Sequence, residues 1–181
     1  MPNKQGEKMR NRFNRLMIKL LPPKKRADYL KEKKIIDIGS GCEIYNDVSF
    51  GSEPYLVKIG NKVRVTGGVR FVTHDGGVWV TRNLKMSPDA DKMGTITVGN
   101  NVFIGLNSII MPGVKIGSNV IIGAGTVVAK DIADNMVVGG VPAKNICTIE
   151  EYYYKNQHRF YNTKHLSYED KKNFYMNEFK N

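Results

Sequence analysis

The sequence predicts a parallel β-helix, a mainly β fold in which the chain winds into stacked triangular coils. Branched apolar residues recur at every sixth position, in the series Val98, Ile104, Ile110, Ile116, Ile122 and Val128. Once per unit the chain also carries glycine and asparagine, as in Gly99-Asn100-Asn101, which a continuous helix does not tolerate. A fixed six-residue period is typical of β-helices. Each unit is therefore expected to point one apolar side chain inward and to turn a corner.

Four runs of three units each predict one coil. They cover residues 38–50, 59–71, 98–110 and 116–128. A segment at about residues 75–95 lies outside the period and adds about 21 residues between the second and third runs. A long loop in a regular scaffold is usually functional, although a tolerated surface insertion is the alternative.

Charge and composition divide the chain into a basic helical leader at residues 1–34, a repeat domain at 35–148 and a helical tail at 149–181. The formal net charge is +11, and the leader supplies most of it with 12 basic and 3 acidic residues. Two distant cysteines predict neither a disulfide framework nor a zinc site. No secretory signal or apolar run of about 18–20 residues is apparent, so a cytoplasmic location is expected.

The leader contains one amphipathic helical face, formed by Phe13, Leu16, Met17 and Leu20 and flanked by basic residues. It is expected to pack on the β-helix or on a neighbouring subunit. Peripheral binding to an anionic membrane is a second interpretation. Nucleic-acid binding is disfavoured, because no groove-reading motif accompanies the charge.

His74 is the candidate for chemistry, because it alone among three histidines lies beside the repeat, where the long loop begins. The other two, His158 and His165, fall in the polar tail. One imidazole cannot form a three-histidine zinc site, so metal catalysis is disfavoured. A lone histidine is either structural or a general acid-base catalyst, and the position between scaffold and loop favours catalysis.

Several motifs resemble those of the hexapeptide-repeat acetyltransferases, most closely the galactoside, maltose and polysaccharide O-acetyltransferases. They are Ile96-Thr97-Val98-Gly99-Asn100, Pro112-Gly113-Val114, Ile122-Gly123-Ala124-Gly125, Lys130-Asp131-Ile132 and Gly140-Val141-Pro142-Ala143-Lys144. The resemblance implies a left-handed β-helix, an exception to the usual right-handed crossover. It also implies a homotrimer that binds acetyl-CoA, the acyl-donor substrate, between subunits. No metal is expected.

The same resemblance implies roles for individual residues. His74 corresponds to the catalytic base and Asn46 to an acceptor-binding residue. Positions that contact the coenzyme correspond to Leu106, Ala124, Ala129, Lys130 and Lys144. Cys147 stands where relatives often have an arginine. Trp79, the only tryptophan, is expected either in the acceptor wall or as an anchor for its loop.

The predicted function is transfer of an acetyl group from acetyl-CoA to a hydroxyl of a sugar or surface polysaccharide, with His74 as general base. Acetylation of an amino sugar or of an antibiotic is the alternative, because the same base would activate an amine. A non-catalytic trimeric scaffold is a third interpretation. The sequence does not identify the acceptor.

Overall fold

The computed structural model describes residues 20–180, which form a left-handed parallel β-helix with helices at both ends. The predicted fold class is confirmed. Of the leader's apolar face only Leu20 lies within the described residues, and it is exposed; Phe13, Leu16 and Met17 lie outside them. Membrane attachment through the leader and a cytoplasmic location stay predictions.

Short strands dominate the described chain, as a six-residue unit requires. They are β1 (Asp37–Ile38), β2 (Glu43–Ile44), β3 (Val57–Ile59), β4 (Arg64–Val65), β5 (Arg70–Phe71), β6 (Ile96–Val98), β7 (Val102–Ile104), β8 (Ile109–Ile110), β9 (Lys115–Ile116), β10 (Val120–Ile122), β11 (Val127–Val128), β12 (Met136–Gly139) and β13 (Lys144–Thr148). The α-helices are α1 (Pro23–Glu32), α2 (Val78–Asn83), α3 (Ile149–Asn156) and α4 (Tyr168–Glu178). Within residues 20–180 no helix is long and apolar enough to cross a bilayer.

The strands form the three faces of a prism, and equivalent units of successive coils pair in parallel. Sheet A has the order β1-β3-β6-β9, sheet B the order β2-β4-β7-β10-β12-β13 reading from the first coil, and sheet C the order β5-β8-β11. In the first coil Ser49 bridges to Arg70 and so extends sheet C. A bridge between Ile116 and Ile132 begins a partial fifth coil, and the hairpin of β12 with antiparallel β13 ends the prism.

Most units bury two side chains, where the sequence period predicts one; in the last unit of the first coil, Val48 and Phe50 are only half-buried. The expected inward residues are buried, for example Ile104 and Ile122, but so are the residues two positions earlier, Val102 and Val120. Both point inward because side chains along an extended segment alternate between faces. The prism interior is therefore filled by two side chains from most units, and this second inward position accounts for the buried thiol of Cys42.

Asparagine makes the corner between sheets A and B in three successive coils. Asn101, Asn119 and Asn135 have φ of 54°, 56° and 62°, a left-handed conformation that asparagine adopts more readily than most residues. Their side chains also form a ladder, in which Asn101 donates to Asn119 at 2.9 Å and Asn119 donates to Asn135 at 2.9 Å. The asparagine residues that predicted the corners therefore also join one coil to the next through their side chains.

Helix α1 packs against the first coil, with Ala27 and Leu30 in the core cluster. Its Arg26 is buried and donates to the carbonyl of Ile44 at 2.6 Å and to the side-chain oxygen of Asn46. The guanidinium therefore joins helix α1 to the sheet B strand of the first coil and to the corner that follows it. Burial lowers the pKa of Arg26 from its ordinary value.

The two ends of the long loop pair with each other where the loop leaves the prism. His74 and Met93 form an antiparallel bridge, and the backbone N–H of Asp75 donates to the carbonyl of Lys92 at 2.8 Å. The side chains of Asp75 and Lys92 also form an ion pair at 2.8 Å. Helix α2 lies between these closing contacts, so the insertion is an ordered excursion from the end of the second coil.

We predict that Ile104→Ala lowers the free energy of unfolding by about 2–5 kcal/mol, because it opens a cavity in a fully buried part of the prism. Ile146→Ala is the control, since that side chain is exposed on β13 and its truncation should cost about 0.5 kcal/mol or less. Urea unfolding followed by circular dichroism measures both. Equal losses in the two variants would contradict the packing described here.

Candidate functional site

The prism has three edges, and the residues of interest divide among them. The asparagine edge, between sheets A and B, comprises residues 39–42, 60–63, 99–101, 117–119 and 133–135. The Leu106 edge, between sheets B and C, comprises 45–48, 66–69, 105–108 and 123–126. The His74 edge, between sheets C and A, comprises 51–56, 72–95, 111–114 and 129–131.

His74 lies three residues after β5, where the chain turns from sheet C into the long loop. Its neighbour Thr73 is fully buried, and the carbonyl of Thr73 accepts from Gly94 at 2.8 Å as the chain returns. The backbone of His74 is thus fixed on both sides, while its side chain is 45% exposed. An imidazole on a rigid backbone with an open face is suited to proton transfer.

The carboxylate of Glu53, from the segment between the first and second coils, contacts the imidazole of His74. Glu53 Oε2 lies 3.0 Å from His74 Nδ1 and accepts from the hydroxyl of Thr73 at 2.8 Å. The hydroxyl of Ser52 lies 3.4 Å from the same ring nitrogen. Sequence analysis missed Glu53. The available signal was the three-residue insertion between the first and second coils, which places residues 51–53 directly beneath the end of the second coil.

The Glu53 carboxyl is held in its charged form. Hydrogen bonds from Thr73, then from Ser52 and His74, lower its pKa below the ordinary value of 4.5, against a smaller opposing effect of burial. At neutral pH it is therefore an ionised carboxylate, which only accepts hydrogen bonds. His74 must then donate from Nδ1, so in the neutral ring Nε2 carries the lone pair. This fixes which nitrogen can take up a proton.

Two of the predicted coenzyme residues lie on the same edge as His74, two coils further along. The backbone N–H of Val72 donates to Ile110 at 2.9 Å, and that of Met111 donates to Val128 at 2.9 Å. These bonds stack the end of the second coil beneath Ala129 and Lys130. Both of these residues are exposed.

Three other predicted residues lie on the Leu106 edge. Asn46, Leu106 and Ala124 follow the sheet B strands of the first, third and fourth coils. A hydrogen bond of 2.7 Å from the backbone N–H of Gly125 to Leu106 joins the last two coils. One chain therefore does not bring these residues to His74, because sheet C separates the two edges. The side-chain oxygen of Asn46 is engaged by Arg26.

The two remaining predicted residues lie on appendages of the prism. Trp79 is in α2, in the loop that starts at His74, and it is 66% exposed. Its exposure does not favour a role as an anchor of the loop within its own chain. Lys144 begins β13, opposite Gly139, and is also exposed.

Comparisons with known proteins agree with this architecture. The family model described as bacterial transferase hexapeptide (six repeats) matches residues 95–130. Protein CapG of Staphylococcus aureus is 48% identical over 170 residues, which cover 93% of this chain and 97% of that protein. The chain belongs to the hexapeptide-repeat transferase family.

Two solved acetyltransferase structures extend the likeness. A maltose O-acetyltransferase from Clostridium difficile 630 has a TM-score of 0.57 at 25% identity, covering 76% of this chain and 83% of that one. A galactoside acetyltransferase in complex with coenzyme A has a TM-score of 0.55 at 26% identity, covering 87% and 85%. The predicted enzyme class, an acetyltransferase that uses acetyl-CoA as donor, is confirmed. Within residues 20–180 no group of three or more His, Cys, Asp or Glu residues could hold a metal ion.

We predict that Thr73→Val raises the titration midpoint of Glu53 toward 4.5, because the hydroxyl of Thr73 contributes most to lowering the pKa of that carboxyl. A carboxyl with a lowered pKa stabilises the fold at neutral pH, and this contribution is lost as pH falls below about 4.5 and through the lowered value. NMR of the glutamate side-chain carboxyl carbon measures the midpoint. Thr66→Val is the control, since Thr66 lies on the Leu106 edge and its hydroxyl donates to the carbonyl of Ile104. An unchanged midpoint in Thr73→Val would contradict the assignment.

Proposed function

We propose that this acetyltransferase transfers the acetyl group of acetyl-CoA to a hydroxyl of a sugar or surface polysaccharide, with His74 as the general base. The observation that carries the proposal is the pairing of His74 Nδ1 with the Glu53 carboxylate at 3.0 Å. That pairing leaves Nε2 as the basic nitrogen on the open side of the ring. No hydrogen bond from another described residue engages Nε2.

The proton path follows from this geometry. Nε2 accepts the proton of the acceptor hydroxyl while the oxygen attacks the thioester carbonyl. The carbon–sulfur bond then breaks, and Nε2 returns the proton to the departing sulfur, so that an ester and a free thiol are formed. The Glu53 carboxylate stabilises the imidazolium that exists between the two steps. A positioned base of this kind typically contributes about 10²–10⁴-fold to the rate.

The His74 edge supports a binding site for the coenzyme arm. At Gly113 and Ala129, in the two coils beyond His74, no side chain extends further than Cβ, so an extended ligand could approach the backbone. Even a Cβ added at Gly113 would meet no other atom within 4 Å. Lys130 follows Ala129 and supplies a cation at the end of this path. Lys144 would add a second cation for the nucleotide phosphates.

A homotrimer would complete the site. The predicted residues divide between the His74 edge and the Leu106 edge, which flank sheet C on either side. A threefold assembly with these edges facing would bring His74 of one copy toward Leu106 and Ala124 of the next. The division of the predicted residues within one chain supports this assembly, and Asn46 would reach the acceptor in the same way.

A saccharide acceptor is supported by the maltose and galactoside enzymes of similar fold. Acetylation of an amino sugar or of an antibiotic remains an outcome of the test, because Nε2 would accept a proton from either nucleophile. An acceptor panel assayed by thiol release separates these substrates.

We predict that His74→Ala lowers kcat by about 10²–10⁴-fold, because the general base is lost. Affinity for the coenzyme should change little, since the proposed coenzyme contacts lie one and two coils away. Thiol release measures turnover, and calorimetry with coenzyme A measures binding. The matched control is His165→Ala, an exposed histidine of the tail, which should retain full turnover.

A companion variant separates catalysis from scaffolding. Glu53→Gln preserves the size of the side chain but removes the charge beside Nδ1, so kcat should fall by less than in His74→Ala while donor KM is retained. If His74→Ala keeps full turnover with every acceptor, the histidine mechanism is wrong. If no acceptor supports thiol release in the unaltered chain, the scaffold interpretation replaces the proposal.

Trp79 is proposed as part of the acceptor wall, and Trp79→Ala should raise acceptor KM by roughly 2- to 12-fold, the equivalent of about 0.5–1.5 kcal/mol for an aromatic contact. Donor KM should stay constant. Leu84→Ala is the control, because that exposed residue lies in the same loop. An unchanged acceptor KM in a folded Trp79→Ala variant would remove Trp79 from the site.

A further inference from the structure

A cavity lies on the outer face of sheet B, apart from the His74 edge. It has a volume of about 490 Å³ and is bounded by strands of sheet B, the asparagine edge and helix α3. This volume lies within the range of about 300–1,000 Å³ found for small-molecule sites. Because the His74 edge joins the other two faces of the prism, the cavity is on the side away from the imidazole. We call it the sheet B groove.

Aromatic rings form the walls of the sheet B groove. Phe103 projects from β7, Tyr152 and Tyr153 from α3, and Phe160 from the segment that follows α3. The four residues are 37–51% exposed. The rings of Tyr153 and Phe160 lie 6.1 Å apart and form one continuous wall. These surfaces are held open to solvent by the scaffold, which is typical of a site that stacks on a flat ligand.

The floor of the groove offers both hydrogen-bond donors and acceptors. Arg64 and Glu43 form an ion pair at 2.7 Å, with both side chains still partly exposed. Asn101 stands at the end of the asparagine ladder and donates to Asn119, so its side-chain oxygen is available as an acceptor among the described residues. A ligand rich in hydroxyl groups would satisfy this mixture.

The charge of the groove favours an anionic ligand. Lys62 lines it, is exposed, and forms no ion pair with any residue in 20–180. Arg64 adds a second positive charge, and Glu43 is the only acidic residue among the lining residues. The lining side chains therefore carry a net charge of +1, which complements a carboxylate.

We propose that the sheet B groove binds a segment of an acidic glycan. Sugar rings would stack on the aromatic wall, their hydroxyls would bind Asn101 and the Arg64–Glu43 pair, and a carboxylate would pair with Lys62. The inference rests on the proposed saccharide acceptor: a long glycan held here is kept at high local concentration near the acetyl-transfer sites of the assembly. The groove itself takes no part in the transfer.

The test is binding of an alginate hexasaccharide, a chain of uronic acids, to the full chain in about 150 mM salt, measured by calorimetry. Tyr153→Ala should weaken binding by at least about fivefold, because it removes an aromatic wall without changing the charge. Lys62→Ala should also weaken it. The matched control is Tyr168→Ala, an exposed tyrosine of α4 outside the groove, which should bind as the unaltered chain does.

Three results would overturn the proposal. The first is an absence of hexasaccharide binding at millimolar concentration. The second is equal affinity in Tyr153→Ala and Tyr168→Ala, which would indicate attraction by the net positive charge alone. The third is a change in the number of assembled chains in Tyr153→Ala, measured by light scattering, which would make the groove a contact between subunits.

Glycan binding in the groove and acetyl transfer at His74 can be refuted independently. His74→Ala should bind the hexasaccharide normally, since the groove is on the other side of the prism. Tyr153→Ala should acetylate small sugars at the normal rate. Normal hexasaccharide binding without acetyl transfer to any saccharide would refute the proposed function while leaving the groove intact.

Discussion

The parallel stacking of coils is the constraint on which the other features depend. Each unit pairs with the equivalent unit of the next coil, for example Val102 with Val120 and Val65 with Ile104. Buried side chains consequently form continuous columns, and corners form continuous edges. A residue's place in the six-residue unit determines whether it lies in a strand or at a corner. The place of that unit within its coil determines the edge, and the coil number determines the height. The position of a residue in the repeat therefore determines where its side chain lies on the prism.

The hydrogen bond between Glu53 and His74 shows how this placement yields chemistry. Two departures from the period, a three-residue insertion before the second coil and the long loop after it, occur on the same edge in adjacent coils. The first supplies Glu53 and the second fixes the backbone around His74. The buried hydroxyl of Thr73 then holds the carboxylate under the ring. The scaffold provides the rigidity, and the two insertions provide the functional groups.

Much of the fold was predictable from the sequence, because a repeated unit gives the same signal many times. The four coils, the corners and the position of the loop all follow from period and punctuation. The second inward residue of each unit was less evident, since polar residues such as Ser108 and Thr126 occupy it in some units. His74 could be selected from its position at a break in the repeat.

Glu53 and the sheet B groove could not be predicted in this way, because both depend on contacts between segments that are remote in sequence. Glu53 lies 21 residues before His74. The groove joins strands of four coils to a helix beyond the repeat. A single sequence shows the tyrosine run of α3 but not the surface that it faces. One chain places Asn46, Leu106 and Ala124 across sheet C from His74, a separation that the linear sequence does not reveal.

The uniform rise of the coils makes the His74 edge a molecular ruler. Neighbouring strands in a sheet are about 4.8 Å apart, so Ala129 lies two steps, or about 10 Å, along the axis from His74. The distance along the axis between two residues of this edge can change only by the height of a whole coil. A coil that was only partly lost or gained would break the columns of buried side chains. Any extended group lying along this edge would therefore meet corners that recur at one fixed interval.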